Sequence, residues 1–123
     1  MHEMGITQEV LLNVVDAAAA AHATRINSVT LTVGGLTDIV PDSLQFAWEC
    51  LTPGSPAEGA VLVILESVGR SVCLQCGVEF EHDKFDRHCE ACGSFATQVI
   101  QGNELRVDHF DADLPETDGT VEE

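Results

Sequence analysis

Positive charge is the scarcest feature of this 123-residue sequence, which has 5 Lys and Arg residues against 21 Asp and Glu residues. A protein that binds nucleic acid presents a basic face to the phosphates, and a formal net charge of −16 argues against such a face. Arg70, Lys84 and Arg87 lie in or beside a cysteine-containing segment, where they can offset the charge of metal-bound thiolates. We therefore expect no nucleic-acid partner.

Aromatic residues and long apolar runs are also scarce. Tyrosine is absent, tryptophan occurs once, and aromatic residues make up 5% of a chain that is 45% hydrophobic. The core is therefore expected to consist mainly of Val, Leu, Ile and Ala. No apolar run reaches the ~18 residues that span a bilayer, and the first residues lack the basic and apolar regions of a signal peptide. We expect a cytoplasmic protein without membrane insertion.

Two helices are predicted from apolar periodicity. Residues 8–22 have apolar side chains at helical spacing and end in an alanine run. A second helix is expected to begin at Pro41, because proline is accepted in a first helical turn, and to end near Leu51. Cys50 lies beside the apolar stripe of this second helix, and we expect it to be a buried small hydrophobic residue and not a reactive thiol.

Strands are predicted on both sides of the cysteines. Residues 28–33 alternate between polar and apolar, which is typical of a strand with one buried face. The continuous apolar run at residues 60–65 predicts a central strand covered on both faces. Residues 97–100 and 105–110 flank Gly102-Asn103, which favours a tight hairpin.

These elements predict the α+β fold class, with a small mixed sheet of three to four strands and two helices, and two Cys-x-x-Cys-Gly repeats between the strands predict an inserted zinc-ribbon subdomain. The expected division is a first part of the α+β domain at 1–68, the zinc ribbon at 69–96, completing strands at 97–110 and an acidic, mobile tail at 111–123. The tail is predicted from its acidic, aperiodic sequence.

Four cysteines form the strongest motif. They occur in two Cys-x-x-Cys-Gly repeats separated by twelve residues, and they are Cys73, Cys76, Cys89 and Cys92. Two intervening residues allow one turn to present both sulfur atoms to a tetrahedral ion, and Gly77 and Gly93 suit the left-handed position of that turn. Zinc is favoured because all four ligands are thiolates and the site is closed. A rubredoxin-like iron centre has similar spacing, and it would be coloured.

Two histidines lie within the insertion. His82 and His88 are close enough in sequence to replace a cysteine in a mixed site, but exposed loop positions explain them as well. Four cysteines already complete a tetrahedron, which favours the second interpretation.

The chain begins with Met1-His2-Glu3. An imidazole one residue after a free α-amine can chelate a metal through the amine, the intervening amide nitrogen and a ring nitrogen. Such a planar set of nitrogen ligands suits Ni(II) or Cu(II). His2 is therefore a candidate nickel ligand, although three terminal residues alone are weak evidence.

In combination these motifs resemble the HypA/HybF family of hydrogenase nickel-incorporation proteins. The likeness includes Met1-His2-Glu3-Met4, residues 29–36, Phe46-Ala-Trp48, residues 60–66, both cysteine repeats and Gly102-Asn103-Glu104-Leu105. The resemblance implies a structural zinc ion on the four cysteines and a transported nickel ion at His2, with Met1 and Glu3 as further candidates for that site.

The resemblance also implies a function, namely insertion of nickel into the large subunit of a nickel-iron hydrogenase during its maturation. The implied partners are a HypB-type GTPase and the precursor of the large subunit, with urease accessory proteins as further candidates. No enzymatic activity is expected, because the sequence shows no nucleophile with an evident base and no phosphate-binding glycine loop. The alternative is a zinc-ribbon adaptor or regulatory protein-binding module without a nickel function.

Overall fold

The computed structural model describes residues 3–115. In chain order its elements are α1 (Glu3–Ala20), β1 (Arg25–Gly34), α2 (Pro41–Leu51), β2 (Val61–Ser67), β3 (Arg70–Cys73), β4 (Glu79–Glu81), β5 (Thr97–Gln101) and β6 (Leu105–Asp113). The strands form two three-stranded sheets with the orders β2-β1-β6 and β4-β3-β5. The predicted α+β class with two helices is confirmed. Neither of the helices described is long and apolar enough to cross a membrane.

The first sheet forms the main core together with both helices. Strand β1 lies parallel to β2 and antiparallel to β6, so the sheet is mixed. Buried side chains of β1 and of the two helices meet on one face, and they include Val14, Ile26, Leu31, Leu44 and Trp48. The single tryptophan keeps its polar atom satisfied when buried, because its Nε1–H donates to the carbonyl of Ala60 at 2.9 Å.

Helix α1 begins earlier than predicted, at Glu3 and not at residue 8. Thr7 lies inside the helix, where its hydroxyl donates to the carbonyl of Glu3 at 2.6 Å. Cys50 is exposed, so its predicted burial is wrong. The buried stripe of α2 consists of Leu44, Ala47 and Trp48, and Cys50 falls outside it.

The apolar run at residues 60–65 is not the central strand, because β1 occupies that position. Strand β2 lies at the edge, and its alternate side chains Val61, Val63 and Leu65 are 59%, 38% and 50% exposed. The helices cover only one face of the sheet, so the opposite face of β2 stays open. A continuous apolar run does not reveal which strand becomes central, since strand order depends on pairing with the later β6.

The predicted hairpin around Gly102-Asn103 is wrong, because β5 pairs with β3 in the second sheet and not with β6. Gly102 has φ 121 and marks the crossing from one sheet to the other. A Cβ atom added to Gly34 would lie 1.9 Å from the carbonyl oxygen of Gly102, so the two backbones touch here. Gly102 of this dipeptide therefore allows the backbones of the two sheets to approach closely.

Strand β6 extends to Asp113, three residues beyond the predicted end. Asp111 pairs with Ser28 and Asp113 pairs with Arg25, so the start of the predicted tail belongs to the main sheet. The amide of Asn27 donates to the carboxylates of both aspartates. Residues 116–123 of the predicted tail lie outside the described residues.

Candidate metal centre

The structure brings the four cysteines of the two repeats together. One sulfur atom from each lies within 4.8 Å of the others. The Sγ atoms of Cys73 and Cys92 are 3.6 Å apart, and those of Cys76 and Cys89 are also 3.6 Å apart. A tetrahedron with zinc–sulfur bonds of ~2.3 Å has edges of about 3.8 Å, so these separations suit a zinc ion. They are too long for disulfides.

The two repeats fold into equivalent turns. In each turn the glycine after the second cysteine donates its N–H to the carbonyl of the first, from Gly77 to Cys73 at 2.8 Å and from Gly93 to Cys89 at 2.7 Å. Both glycines are left-handed, with φ 79 and 76, a conformation that costs glycine little. Strand β3 ends at Cys73 and thereby ties the first turn to the second sheet.

Backbone donors and neighbouring thiols change the acidity of the cluster. The backbone N–H of Cys76 lowers the pKa of the Cys73 thiol to about 6, against the opposing effect of burial. At Cys92 the backbone N–H of Ser94 favours the thiolate, but the Cys73 thiol and burial raise the pKa to about 12. The pKa of Cys76 is also raised. The Cys73 thiol therefore ionises readily, whereas Cys76 and Cys92 need a bound cation to offset the accumulating negative charge.

The two histidines of the insertion are engaged elsewhere. His82 Nε2 lies 2.6 Å from the Ser71 hydroxyl, and its Nδ1 lies 2.7 Å from the carbonyl of Asp83. His88 contacts the carboxylate of Asp86, and its ring packs against Phe95. Among residues 3–115, the cluster of metal-ligand side chains consists of the four cysteines alone.

The cations of the insertion pair with carboxylates. Arg70 contacts Glu79 at 3.2 Å and Glu81 at 3.3 Å, which connects β3 to β4 across the second sheet. Lys84 contacts Asp38, outside the insertion, at 3.3 Å. Two of the three cations that were expected to offset the charge of the thiolates thus pair directly with carboxylates.

The amino terminus is described only from Glu3 onward, so Met1 and His2 lie outside the described residues. The Glu3 carboxylate accepts a hydrogen bond from the backbone N–H of Val40 at 3.1 Å. Sequence reasoning missed this contact, because nothing in the local pattern around Glu3 indicates that its side chain reaches the start of the second helix.

Comparison with known sequences identifies related proteins. The family described as "Hydrogenase/urease nickel incorporation, metallochaperone, hypA" matches residues 1–112. The chain is 40% identical over 113 residues to the hydrogenase maturation factor HypA of Geobacter metallireducens, covering 92% of this chain and 100% of that protein. It is 41% identical over 110 residues to the HypA of Chlorobaculum tepidum, covering 89% and 97% of the two chains.

Solved structures show the same fold. The solution structure of the nickel metallochaperone HypA from Helicobacter pylori aligns with a TM-score of 0.67 at 23% identity, covering 94% of this chain and 100% of that chain. A second solution structure, of a HypA protein, aligns with a TM-score of 0.68 at 24% identity, covering 91% and 96%. Four clustered thiols within this fold are suited to a structural zinc ion.

Proposed function

Because this chain belongs to the HypA family of nickel-incorporation metallochaperones for hydrogenase maturation, we propose that it binds Ni(II) at its amino terminus and delivers the ion to the large-subunit precursor of a nickel-iron hydrogenase. The observation that carries the proposal is the extent of the family match. It spans residues 1–112 and therefore includes the Met1-His2-Glu3 start together with both cysteine repeats. Binding and transfer of a metal ion require no catalytic group, so the protein is proposed not to be an enzyme.

The proposed nickel ligands are the imidazole of His2, the α-amine of Met1 and the amide nitrogen between them. Chelation through adjacent nitrogen atoms gives the planar arrangement that Ni(II) favours. The amine, with a pKa of about 8, and the imidazole, with a pKa of about 6.5, must both be deprotonated to bind. Nickel affinity is therefore expected to rise from mildly acidic to mildly alkaline pH.

The four cysteines are proposed to hold the resident metal, a structural zinc ion. Their sulfur atoms lie within 4.8 Å of one another, and backbone N–H groups of Gln75 and Cys76 lie 3.4 Å from Cys73 Sγ. Such donors stabilise thiolate ligands. With four ligands in place the site has no open position for a substrate, which supports a structural role and not a catalytic one.

The proposed partners are the large-subunit precursor and a HypB-type GTPase, with urease accessory proteins as further candidates. We propose that these contacts take place in the cytoplasm, where thiols stay reduced and available to zinc.

A zinc-ribbon adaptor without a nickel function is the second candidate. It is favoured by the aromatic residues of the insertion, since Phe85 is 85% exposed and Phe95 is 80% exposed. Exposed aromatic side chains are enriched at protein interfaces. A metallochaperone must also dock on its target, so this surface is compatible with both candidates.

Calorimetric nickel titration of the zinc-loaded, untagged protein separates the two. The proposal predicts that wild type binds nickel, whereas the His2→Ala variant and a form extended before Met1 lose that site while retaining zinc. His22→Ala is the matched control, because His22 lies beyond the end of α1 and is not a proposed ligand. Equal nickel affinity in the wild type, His2→Ala and extended forms would eliminate the terminal site and favour the adaptor.

A further inference from the structure

The main sheet has an open face, on the side opposite the core that it shares with α1 and α2. Strand register fixes which side chains share this face, because residues paired across neighbouring strands point to the same side of a sheet. The open face consists of three rows of side chains, which are Val61, Val63 and Leu65 on β2, Ser28, Thr30 and Thr32 on β1, and Arg106, Asp108, His109 and Asp111 on β6.

The two outer rows are exposed, whereas the middle row is largely buried between them. Thr30 and Thr32 of the middle row are each 7% exposed. The row on β2, called the aliphatic row, runs for four residue steps, or about 13 Å. The row on β6, called the polar row, lies two strand spacings away, at about 10 Å. A partner on this face therefore meets apolar and polar side chains along two separate lines.

The polar row is negatively charged at one end. Arg106 pairs with Asp108 at 2.8 Å, so these two charges compensate each other. The carboxylates of Asp111 and of nearby Asp113 accept hydrogen bonds from a neutral amide side chain of β1, and no ion pair within residues 3–115 includes either of them. Asp111 lies level with Val61 across the sheet, so the uncompensated charge lies beside the first residue of the aliphatic row.

We propose that the open face binds a basic amphipathic α-helix of a partner protein. A helix with its side chains is about 10–12 Å wide, which matches the separation of the two exposed rows, and roughly nine residues at 1.5 Å each cover the aliphatic row. The apolar stripe of the helix packs on the aliphatic row, and a Lys or Arg side chain at the edge of the stripe reaches Asp111. The bound helix gives the sheet a second helical layer. This inference does not depend on the proposed nickel site.

The charge of the chain selects this occupant over two others. A second copy of the chain lacks the required cations, because four of its five Lys and Arg side chains already bind oxygen acceptors. Two molecules with a formal charge of −16 also repel each other. An anionic lipid surface repels the chain for the same reason. A basic helix, in contrast, is attracted by the charge and can bury the aliphatic row.

A synthetic amphipathic peptide of about 14 residues, roughly 20 Å long as a helix, is the probe. It has leucines on one face and lysines on both sides of them. One control peptide has glutamates in place of the lysines, and another has the same composition in an order without an apolar stripe. We expect the lysine peptide to bind the zinc-loaded, full-length protein and to shift the NMR signals of residues 61–65 and 106–111. Both control peptides should bind about tenfold more weakly or less.

Val63→Thr tests the aliphatic row, because threonine keeps the shape of valine but places a hydroxyl at the centre of the contact. We expect about tenfold weaker peptide binding, since a hydroxyl buried without a hydrogen-bond partner is unfavourable. Val78→Thr is the matched control, because Val78 is 40% exposed, close to the 38% of Val63, and lies outside the main sheet. Equal affinity in Val63→Thr and Val78→Thr would overturn the inference.

Asp111→Asn tests the charged contact. Exposed ion pairs contribute little, so we expect peptide binding only about two- to fivefold weaker, with a smaller dependence on salt. Asp16→Asn is the control, because Asp16 is exposed on α1. Zinc content and thermal unfolding verify that the variants remain folded. Wild-type affinity and salt dependence in Asp111→Asn would overturn the assignment of a basic partner.

Three further outcomes would also overturn the inference. If the peptide without an apolar stripe binds as tightly as the striped peptide, the attraction is a general effect of charge. If sedimentation at neutral pH shows a dimer that Val63→Thr disrupts, the face belongs to a second copy of the chain. If the protein floats with anionic lipid vesicles and Val63→Thr prevents this, the face belongs to a membrane surface.

Discussion

The two sheets of this molecule are stabilised by different kinds of interaction. The main sheet and its helices share a cluster of twelve buried residues, nearly all aliphatic. The second sheet has a buried cluster of three residues, Cys73, Phe80 and Cys89, and two of them are proposed zinc ligands. Burial of apolar surface stabilises the first region, whereas the small apolar surface of the second leads us to expect that it folds only with bound metal. One short chain would then contain a region that folds by its own core and a region that depends on an ion.

Loss of the metal is expected to have the largest effect, and to be confined to the second sheet. Cys89→Ser should release zinc and remove most of the ~10–16 kcal/mol that a structural zinc ion contributes in small domains. Amides of residues 70–101 should then exchange rapidly, while those of β1 stay protected. Zinc analysis and hydrogen exchange measure both effects.

Cys50→Ser is the control for this experiment, because Cys50 is an exposed thiol outside the cluster. An unchanged insertion in zinc-free Cys89→Ser would show that the second sheet folds without the ion. The contrast between the two regions would then be wrong.

A cavity in the main core should give the opposite pattern. Leu44 is 0% exposed, and Leu44→Ala is expected to lower the free energy of unfolding of the main domain by about 2–5 kcal/mol. Zinc stoichiometry should stay the same, because the buried residues around the cysteines form a cluster separate from the main core. Urea unfolding followed by Trp48 fluorescence, together with zinc analysis, tests this expectation.

Leu12→Ala is the matched substitution for that experiment, since Leu12 is 55% exposed on α1 and should cost little. Release of zinc by Leu44→Ala under native conditions would show that the two regions unfold as one unit.

The smallest expected effect is a change in the pH dependence of stability, caused by a carboxylate on the outer face of the main sheet. The Thr32 hydroxyl, and then Arg106 Nε at 2.8 Å, hold the pKa of Asp108 below its usual value. A carboxyl whose folded pKa is depressed contributes stability above its unfolded pKa of ~3.9 and loses that contribution as the pH falls through the folded value. Asp108→Asn should therefore be less stable than wild type at neutral pH, with the difference shrinking below about pH 4.

Thermal unfolding between neutral and acidic pH measures this difference. Asp16→Asn provides the comparison, because Asp16 is exposed on α1. A stability difference between wild type and Asp108→Asn that stays constant with pH would contradict the assignment to the carboxylate.

The local parts of the structure could be predicted from the sequence. Helix α2 begins at Pro41 and ends at Leu51 as expected, because the apolar stripe and the proline are local signals. The association of the cysteines follows from two short repeats. Strand order could not be predicted in this way. The position of β2 and the pairing of β5 with β3 depend on contacts between distant residues, such as the Gly34–Gly102 approach, which no local pattern encodes.

The same distinction between local signals and long-range contacts applies to the candidate site. The chemistry of the thiol cluster could be predicted from residue type and spacing. The anchoring of Glu3 could not, because its acceptor role depends on Val40, 37 residues away in sequence. A single sequence indicates which side chains are able to bind metal, but not which of them the fold has already engaged.

The open face of β2 has a consequence for behaviour in concentrated solution. Val61, Val63 and Leu65 form an aliphatic row on an edge strand, a geometry that favours strand-to-strand association between molecules. The formal charge of −16 opposes such encounters, since like-charged molecules repel before these rows meet. Acidification to the isoelectric point of about 4.3, where partial protonation of the carboxyl side chains brings the net charge to zero, removes this barrier while leaving the aliphatic row in place. The negative charge of the chain therefore protects it from aggregation. We expect the turbidity that develops on acidification to arise from association through this strand.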